Sequence, residues 1–280
     1  MKLVRHGITG AEKPGILDAE GRVRDLSAVV ADIAGDVLSD EGLKRLSALD
    51  LGNLPLVPAS TRLGPCVGQV GKFICIGLNY TDHAAEVNKP VPPEPIIFLK
   101  ANSAICGPND DIVIPRASKS TDWEVELGVV IGTTAKYVSE ADAAAHVAGY
   151  CTVNDVSERD YQIRREGQWT KGKSCDTFGP LGPWLVTRDE VPNPHALKLF
   201  CEVDGKRMQD GTTATMVFGV SFLVHYLSQF FTLFPGDIIA TGTPPGVGTG
   251  HKPPVFLRAG QRMRTGVEGL GVQDQLLVQG

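Results

Sequence analysis

Glycine and proline interrupt this chain so often that few long helices can form. Of its 280 residues, 32 are glycine and 19 are proline. Both residues favour turns over regular secondary structure. The segments between them are short, apolar and rich in β-branched and aromatic residues, which is typical of strands. The sequence therefore predicts a mixed α/β, β-rich fold.

The predicted strands are the apolar segments that turn residues bound on both sides. They are residues 2–5, 15–17, 23–25, 73–77, 96–99, 112–114, 125–131, 150–153, 184–186, 198–203, 237–240 and a final set between 261 and 277. Helical patterns are fewer, at 39–49, 139–147 and 220–234. Ser139 and Asp142 have the spacing of a capping box. We expect the helix that they begin to form a crossover between strands 125–131 and 150–153.

The first 70 residues differ from the rest of the chain. They contain short strands, one helical pattern and a stretch rich in proline and serine that ends at Pro65. That stretch is typical of a linker. The sequence predicts a small N-terminal α+β domain with its linker at residues 1–70 and a larger domain at residues 71–280.

Charge and hydropathy exclude several classes of partner. The formal net charge is −5, so no basic surface for nucleic acid is expected. The longest apolar stretch, residues 220–234, is interrupted by polar residues, so no membrane span is expected. None of the six cysteines forms a C-x-x-C pair, and most have apolar neighbours. This pattern favours buried free thiols in a reducing cytoplasm.

Two glutamates stand directly before and within one apolar strand. Glu124 and Glu126 are two residues apart, and residues i and i+2 of a strand project from the same face. Two converging carboxylates in a buried setting need a cation between them. Oxygen ligands of this kind suit Mg²⁺ or Mn²⁺ better than zinc. A solvated strand face that carries two glutamates is the alternative.

A third acid, Asp155, ends the predicted strand at 150–153. If that strand lies beside 125–131, Asp155 joins the two glutamates. Three carboxylates leave open positions on an octahedral ion for water and substrate. Alternatively, Asp155 caps the segment that follows it.

His83 and Glu86 follow the strand at 73–77, with helical i, i+3 spacing. Side chains at this spacing can meet on one helix face. A carboxylate orients an imidazole and raises its basicity, as a general base requires. An ordinary exposed His–Glu pair is the alternative.

Two further segments offer groups for an anionic substrate. Lys173 lies among Gly, Ser and Phe residues and can neutralise negative charge, although a surface lysine is the alternative. The loop 241–248 has the sequence TGTPPGVG, whose amides and threonine hydroxyls can hold a carboxylate. Here a plain turn is the alternative.

Seven segments in order, covering residues 71 to 280, resemble the fumarylacetoacetate hydrolase family. They are IGLNYTDHAAE, PIIFLK, TDWEVELGVVIG, GYCTVNDVSERDYQ, WTKGKSCDTFGPLGP, MVFGVSFLVHYLSQFFTLFPGD and TGTPPGVG. The resemblance implies a rolled mixed β-sheet catalytic domain, usually dimeric. A homodimer is therefore expected, and the apolar segment 216–234 favours it.

The resemblance also implies roles for individual residues. Glu124, Glu126 and Asp155 would bind Mg²⁺ or Mn²⁺. His83 and Glu86, on a mobile lid, would activate water. Lys173 would steady a developing enolate. The substrate-binding residues implied are Asn79, Tyr80, Gln162 and Thr243.

The reaction implied is hydrolysis of a C–C bond in a 2,4-dioxo acid, which yields pyruvate and a carboxylic acid. The substrate would be an acylpyruvate or a 2,4-dioxo-3-deoxy sugar acid, because the sequence looks most like the bacterial sugar-acid branch. Many members of that branch carry the label ureidoglycolate lyase. The alternatives are ureidoglycolate lyase activity, oxaloacetate decarboxylation and a 2-oxo acid hydratase or isomerase reaction. A binding protein without catalysis is a further alternative.

Leu78 stands where some members of the family carry a substrate-binding arginine, so we expect this protein to recognise its substrate differently.

Overall fold

The computed structural model describes all residues from 1 to 280. It is β-rich, as predicted, with eighteen strands and four α-helices. The strands are β1 Lys2–His6, β2 Lys13–Leu17, β3 Val23–Asp25, β4 Phe73–Gly77, β5 Ile96–Lys100, β6 Ile105–Cys106, β7 Ile112–Ile114, β8 Thr121–Asp122, β9 Val125–Ile131, β10 Val147–Asn154, β11 Ser157–Glu158, β12 Gly179–Pro180, β13 Leu185–Thr187, β14 Lys198–Val203, β15 Lys206–Thr212, β16 Ile238–Ala240, β17 Arg262–Val267 and β18 Gly271–Gln279. The helices are α1 Asp40–Ser47, α2 Thr81–Glu86, α3 Trp169–Lys173 and α4 Val220–Phe230.

Two large sheets organise these strands. The first has nine strands in the order β3-β2-β1-β13-β10-β9-β16-β4-β5, and the second has five in the order β15-β14-β17-β18-β7. Most neighbours are antiparallel, while β16 pairs with β4 and β18 pairs with β7 in parallel. Strands β9 and β10 lie near the middle of the larger sheet and share the most extensive pairing within it.

Two apolar cores form because the strands of the larger sheet are buried on both faces. Along β4, Ile74 and Ile76 belong to a core of 33 residues that also includes α4 and strands of the smaller sheet. Phe73 and Cys75 belong to a core of 20 residues with α1 and the N-terminal strands. Residues that alternate along a strand face opposite sides, so one strand supplies both cores.

The N-terminal strands belong to the larger sheet. Leu3 of β1 lies opposite Leu185 of β13 and is completely buried. The strands predicted in residues 1–70 are present, and the helix begins after Ser39, whose hydroxyl accepts a hydrogen bond from the amide of Gly42. The domain boundary near residue 70 stays a prediction, because the sheet runs across it.

The helix predicted at residues 139–147 is wrong. The Ser139 hydroxyl does bond to Asp142, as a cap would, but only a short 3-10 turn follows at Ala143–His146. Val147 already begins β10, and pairing with β9 outweighs the helical preference of the alanines. The two strands are antiparallel, so no helical crossover joins them.

No helix of the structure is both long and apolar enough to cross a membrane. All six cysteines are free thiols, and only Cys175 is partly exposed.

We predict that Leu3→Ala lowers the free energy of unfolding of the whole chain. Deleting a buried leucine side chain costs about 2–5 kcal/mol, and β1 is continuous with the sheet that carries the central strands. Denaturant unfolding followed by tryptophan fluorescence measures this loss. The control is Ile8→Ala, because Ile8 is 79% exposed and its loss should change stability by less than about 0.5 kcal/mol. Equal effects of the two substitutions would contradict this account of β1.

Candidate active site

Three carboxylates meet where β9 begins and β10 ends. Glu124 directly precedes β9, Glu126 lies within it and Asp155 follows β10. The backbone amide of Asp155 donates a hydrogen bond to the carbonyl of Glu124, at 2.8 Å. All three side chains are buried, and one carboxylate oxygen from each lies within 4.8 Å of the others. Strand pairing therefore brings the predicted metal ligands together.

Three buried cations surround these acids. Lys173 places its Nζ 2.6 Å from both Glu124 and Asp155. Lys100 lies 2.5 Å from the other oxygen of Asp155, and Arg159 lies 2.7 Å from the other oxygen of Glu124. Glu124, Asp155 and the three cations therefore each contact a partner of opposite charge, which reduces the cost of burying these ions.

Arg159 connects Glu124 to a fourth buried acid. Its Nε donates to Asp122 at 2.8 Å. Asp122 also accepts hydrogen bonds from the backbone amides of Gly248 and Thr249. Four carboxylates then face three cations, so the cluster keeps one negative charge in excess.

The excess charge lies at Glu126. No cationic side chain lies within ion-pair distance of it, and its Oε2 accepts a hydrogen bond from the amide of Gly242 at 2.8 Å. Burial, together with the charges of Asp155 and Glu124, raises the pKa of Glu126 well above its usual range. Burial alone would also raise the pKa of Glu124. The attraction of Lys173 and Arg159 for the ionised carboxylate outweighs this effect and holds the pKa of Glu124 well below its usual range.

Gly242 can approach Glu126 only because it has no side chain. Its φ is +96°, in the region that favours glycine, and a Cβ there would lie 2.9 Å from the Cβ of Asn79. The loop after β16 therefore requires a glycine at this position.

His83 and Glu86 form the expected pair on α2. His83 Nδ1 lies 3.0 Å from Glu86 Oε2. The other oxygen of Glu86 accepts a hydrogen bond from the amide of Gly246, at 2.8 Å. An ionised carboxylate only accepts hydrogen bonds, so this contact favours the neutral tautomer in which Nδ1 carries the proton and Nε2 has the lone pair.

A cavity of about 330 Å³ joins the helix to the acids. Residues from both the His–Glu pair and the charged cluster line it, together with an apolar group. The lining includes Ile76, Leu78, His83, Val87, Lys89, Phe98, Glu124, Glu126, Arg159, Gln162, Ile163, Trp169, Lys173, Thr243 and Thr249.

The four residues predicted to bind substrate divide into two pairs. Gln162 and Thr243 line the cavity. Asn79 and Tyr80 do not, and both are completely buried. Asn79 instead ties two loops together: its Nδ2 donates to the carbonyl of Thr241 at 2.8 Å, and its Oδ1 accepts from the amide of Phe218 at 2.8 Å.

Sequence reasoning missed Lys100, Arg159 and Asp122 as members of the site. Signals were present for two of them: Lys100 ends the apolar run PIIFLK, and Arg159 follows Asp155 by four residues. Neither signal indicates by itself which acid the cation will meet.

Comparisons with known proteins agree with this geometry. The profile of the family "Fumarylacetoacetate (FAA) hydrolase C-terminal" matches residues 72–278. The chain belongs to the fumarylacetoacetate hydrolase family. A relative from Burkholderia multivorans with the name "Putative hydrolase" is 67% identical over 277 residues, which are 99% of this chain and 98% of that protein.

Solved structures of the family share the whole fold. Fumarylacetoacetate hydrolase from Exiguobacterium antarcticum is 34% identical with a TM-score of 0.87, and both chains are covered completely. Maleylpyruvate hydrolase from Sphingobium sp. SYK-6 is 30% identical with a TM-score of 0.82, again over the full length of both chains. The mixed, β-rich fold is therefore that of the family throughout.

The acidic triad fits the divalent metal site typical of this family. Its donors are carboxylate oxygens, which Mg²⁺ and Mn²⁺ prefer. Glu126 is buried without a cation, and a metal ion would supply the missing positive charge. A carboxylate can accept a hydrogen bond and ligate a metal at the same time, so the lysine and arginine contacts do not exclude an ion.

We predict opposite effects of Glu124→Gln and Glu126→Gln on the metal-free protein near pH 7. Glu124→Gln removes one of the two acidic partners of Lys173 and one of the two acidic partners of Arg159. Breaking a buried ion pair costs about 3–5 kcal/mol, so the variant should lower the free energy of unfolding by up to that amount. Glu126→Gln replaces a buried carboxyl group that has no cation by a neutral amide. It should raise the melting temperature to the extent that Glu126 is ionised in the folded protein. Thermal unfolding in EDTA measures both changes.

The pH dependence follows from the raised pKa of Glu126. The pKa of Glu126 in the folded protein lies above the unfolded value of 4.5. Protonated Glu126 therefore stabilises the fold below pH 4.5, and this contribution is lost as the pH rises through the folded-state pKa. The advantage of Glu126→Gln should therefore grow with pH. Equal destabilisation by both variants would contradict the charge distribution described above.

Proposed function

We propose that this protein is a divalent-metal-dependent hydrolase that cleaves a C–C bond of a 2,4-dioxo acid. The products are pyruvate and a carboxylic acid. One observation carries the proposal: His83, which is paired with Glu86, lines the same cavity as Glu124 and Glu126 of the acidic triad. A base for water and a site for a bound 2-oxo acid are the two parts that this reaction needs.

Glu124, Glu126 and Asp155 would hold Mg²⁺ or Mn²⁺. When bound, the ion would act as a Lewis acid that withdraws electrons from the 2-oxo carboxylate end of the substrate. Placing that end at the buried acids directs the rest of the substrate toward the open part of the cavity.

His83 would activate water. Because Nδ1 donates to Glu86, Nε2 can take a proton from a water molecule as it attacks the 4-carbonyl carbon. The bond between C3 and C4 then breaks, and its electron pair passes to C3. The enolate of pyruvate forms, takes up a proton and leaves as pyruvate.

Lys173 would stabilise negative charge as the enolate develops. Burial would lower the pKa of Lys173, but Asp155 and Glu124 outweigh it and raise that pKa above its usual value. The lysine therefore stays protonated and cannot serve as the base. Gln162 and Thr243 would contact substrate from the cavity wall, where the Thr243 hydroxyl is fixed by a bond to the carbonyl of Val125.

Two solved relatives, fumarylacetoacetate hydrolase and maleylpyruvate hydrolase, have names that agree with hydrolysis. Three others are named isomerases, in agreement with the isomerase alternative. Assignment to the sugar-acid branch, or to the proteins labelled ureidoglycolate lyase, stays a prediction.

We predict metal-dependent release of pyruvate from 2,4-dioxo acids. The assay compares acetylpyruvate, longer acylpyruvates and a 2,4-dioxo-3-deoxy sugar acid with Mg²⁺, with Mn²⁺ and with EDTA. Oxaloacetate and ureidoglycolate are run beside them. Turnover of oxaloacetate or ureidoglycolate without turnover of dioxo acids would show that the protein catalyses a different reaction from the one proposed. No turnover of any substrate would favour a binding protein.

We predict that His83→Ala lowers hydrolysis by at least ~10²-fold, because a positioned general base contributes about that much. Decarboxylation of oxaloacetate, if present, needs no attacking water and should be spared. The control is His146→Ala, since His146 lies in the turn before β10 and does not line the cavity. Equal loss of hydrolysis and decarboxylation in His83→Ala would refute the role in water activation.

A further inference from the structure

Asp122 is a completely buried carboxylate that takes no direct part in the proposed reaction. Its Oδ1 accepts hydrogen bonds from the amides of Trp123, at 2.8 Å, and Gly248, at 2.6 Å. Its Oδ2 accepts from the amide of Thr249, at 2.9 Å, and from Nε of Arg159, at 2.8 Å. An ionised carboxylate has about four acceptor sites, so Asp122 has none left for a substrate or a metal ion.

Two of these donors belong to the loop that holds Glu86. Gly248 and Thr249 follow Gly246 by two and three residues. The amide of Gly246 donates to Glu86 Oε1 at 2.8 Å. The same loop packs against Glu86 at Gly250, where a Cβ would lie 2.7 Å from the carboxyl carbon of Glu86. The loop backbone therefore confines the Glu86 carboxylate at two points.

Side chains, rather than strand pairing, hold this part of the loop. Residues 241–247 form neither helix nor strand, and Gly248–Gly250 is a single 3-10 turn. Besides the two amides that Asp122 accepts, the carbonyl of Gly246 accepts from Nε1 of Trp123 at 3.0 Å. Backbone groups outside regular structure depend on such partners when they are buried.

The residues that hold the loop are joined directly to the acidic triad. Asp122 and Trp123 immediately precede Glu124 in the chain. Arg159 adds a second connection, because it donates to Asp122 through Nε and to Glu124 through Nη2, at 2.8 and 2.7 Å. The position of the loop relative to the triad is therefore determined at Asp122.

From this arrangement we infer that Asp122 is a positioning residue for the His83–Glu86 pair. By holding the loop, it keeps Glu86 where Glu86 can bind the proton on His83 Nδ1, which leaves Nε2 free to face water. The inference rests on the proposed function, which assigns His83 as the base. Asp122 does not line the cavity, and it acts on Glu86 only through the loop.

The substitution Asp122→Asn tests this role. One carboxylate oxygen becomes an amide nitrogen, which donates hydrogen bonds and accepts none. Either the loop amides or Arg159 then face another donor, so the loop should shift. The readout is the tautomer of His83 in the metal-free protein, measured by nitrogen NMR of isotope-labelled histidine at mildly alkaline pH, where a free imidazole is neutral. The signals of His83 are those that disappear in His83→Ala.

We expect wild-type His83 to carry its proton on Nδ1, because the contact with Glu86 selects that tautomer. Asp122→Asn should lose this selection and populate the form with the proton on Nε2. Hydrolysis should fall by about 10-fold, a part of the ~10²-fold that a positioned general base contributes.

Asp237→Asn is the matched control. Asp237 is also completely buried, accepts hydrogen bonds from the amides of Lys72 and Phe234, both at 2.7 Å, and pairs with the Lys72 ammonium. It lies at the opposite end of β16 from the loop. Its substitution should lower stability and leave the tautomer of His83 unchanged. An unchanged tautomer in Asp122→Asn, or an equal change in both variants, would refute the role of Asp122.

A second measurement needs no substitution and decides the matter if Asp122→Asn does not fold. In the wild-type protein, the amide protons of Gly246, Gly248 and Thr249 should exchange with solvent at similarly slow rates, because one carboxylate holds this part of the loop as a unit. Fast exchange at Gly246 beside slow exchange at Gly248 would overturn the inference. If the tautomer changes as expected and no dioxo acid is hydrolysed, the proposed function fails, while the positioning role of Asp122 stands.

Discussion

The antiparallel pairing of β9 with β10 determines where the charges of this protein lie. It brings Glu124 and Glu126 at one strand's start beside Asp155 at the other strand's end. Carboxylates this close and this deeply buried repel one another, so the fold depends on the cations packed among them. Lys173 reaches the group from α3 and Lys100 reaches it from β5. The site and the packing around it therefore stabilise each other.

The loop after β16 connects the charged cluster with the proposed catalytic pair. Within five residues it donates one amide hydrogen bond to Glu126, from Gly242, and one to Glu86, from Gly246. Any shift of this loop would change both carboxylates together. A rigid connection of this kind suits a reaction in which water must attack a substrate held at the acids, because small errors in position greatly reduce the rate.

Local sequence patterns predicted the elements whose structure depends mainly on residues that are close in sequence. The strand at 125–131 was predicted with its observed bounds, since its apolar run ends sharply at both sides. The helix at 139–147 failed because pairing in the sheet overrode a local preference. Lys100 and Arg159 were missed because their partners are distant in sequence. Asn79 was predicted to bind substrate, but it does not line the cavity, and its amide bonds instead to loops more than 130 residues away.

The central claim is that the acidic triad binds a divalent cation, and a crystal structure grown with Mn²⁺ tests it most directly. Anomalous scattering locates manganese without reference to the protein atoms. We predict a single strong peak within bonding distance of one oxygen each of Glu124, Glu126 and Asp155. A crystal in which manganese lies elsewhere, or in which the triad stays metal-free at saturating Mn²⁺ with Lys173 between Glu124 and Asp155, would contradict it.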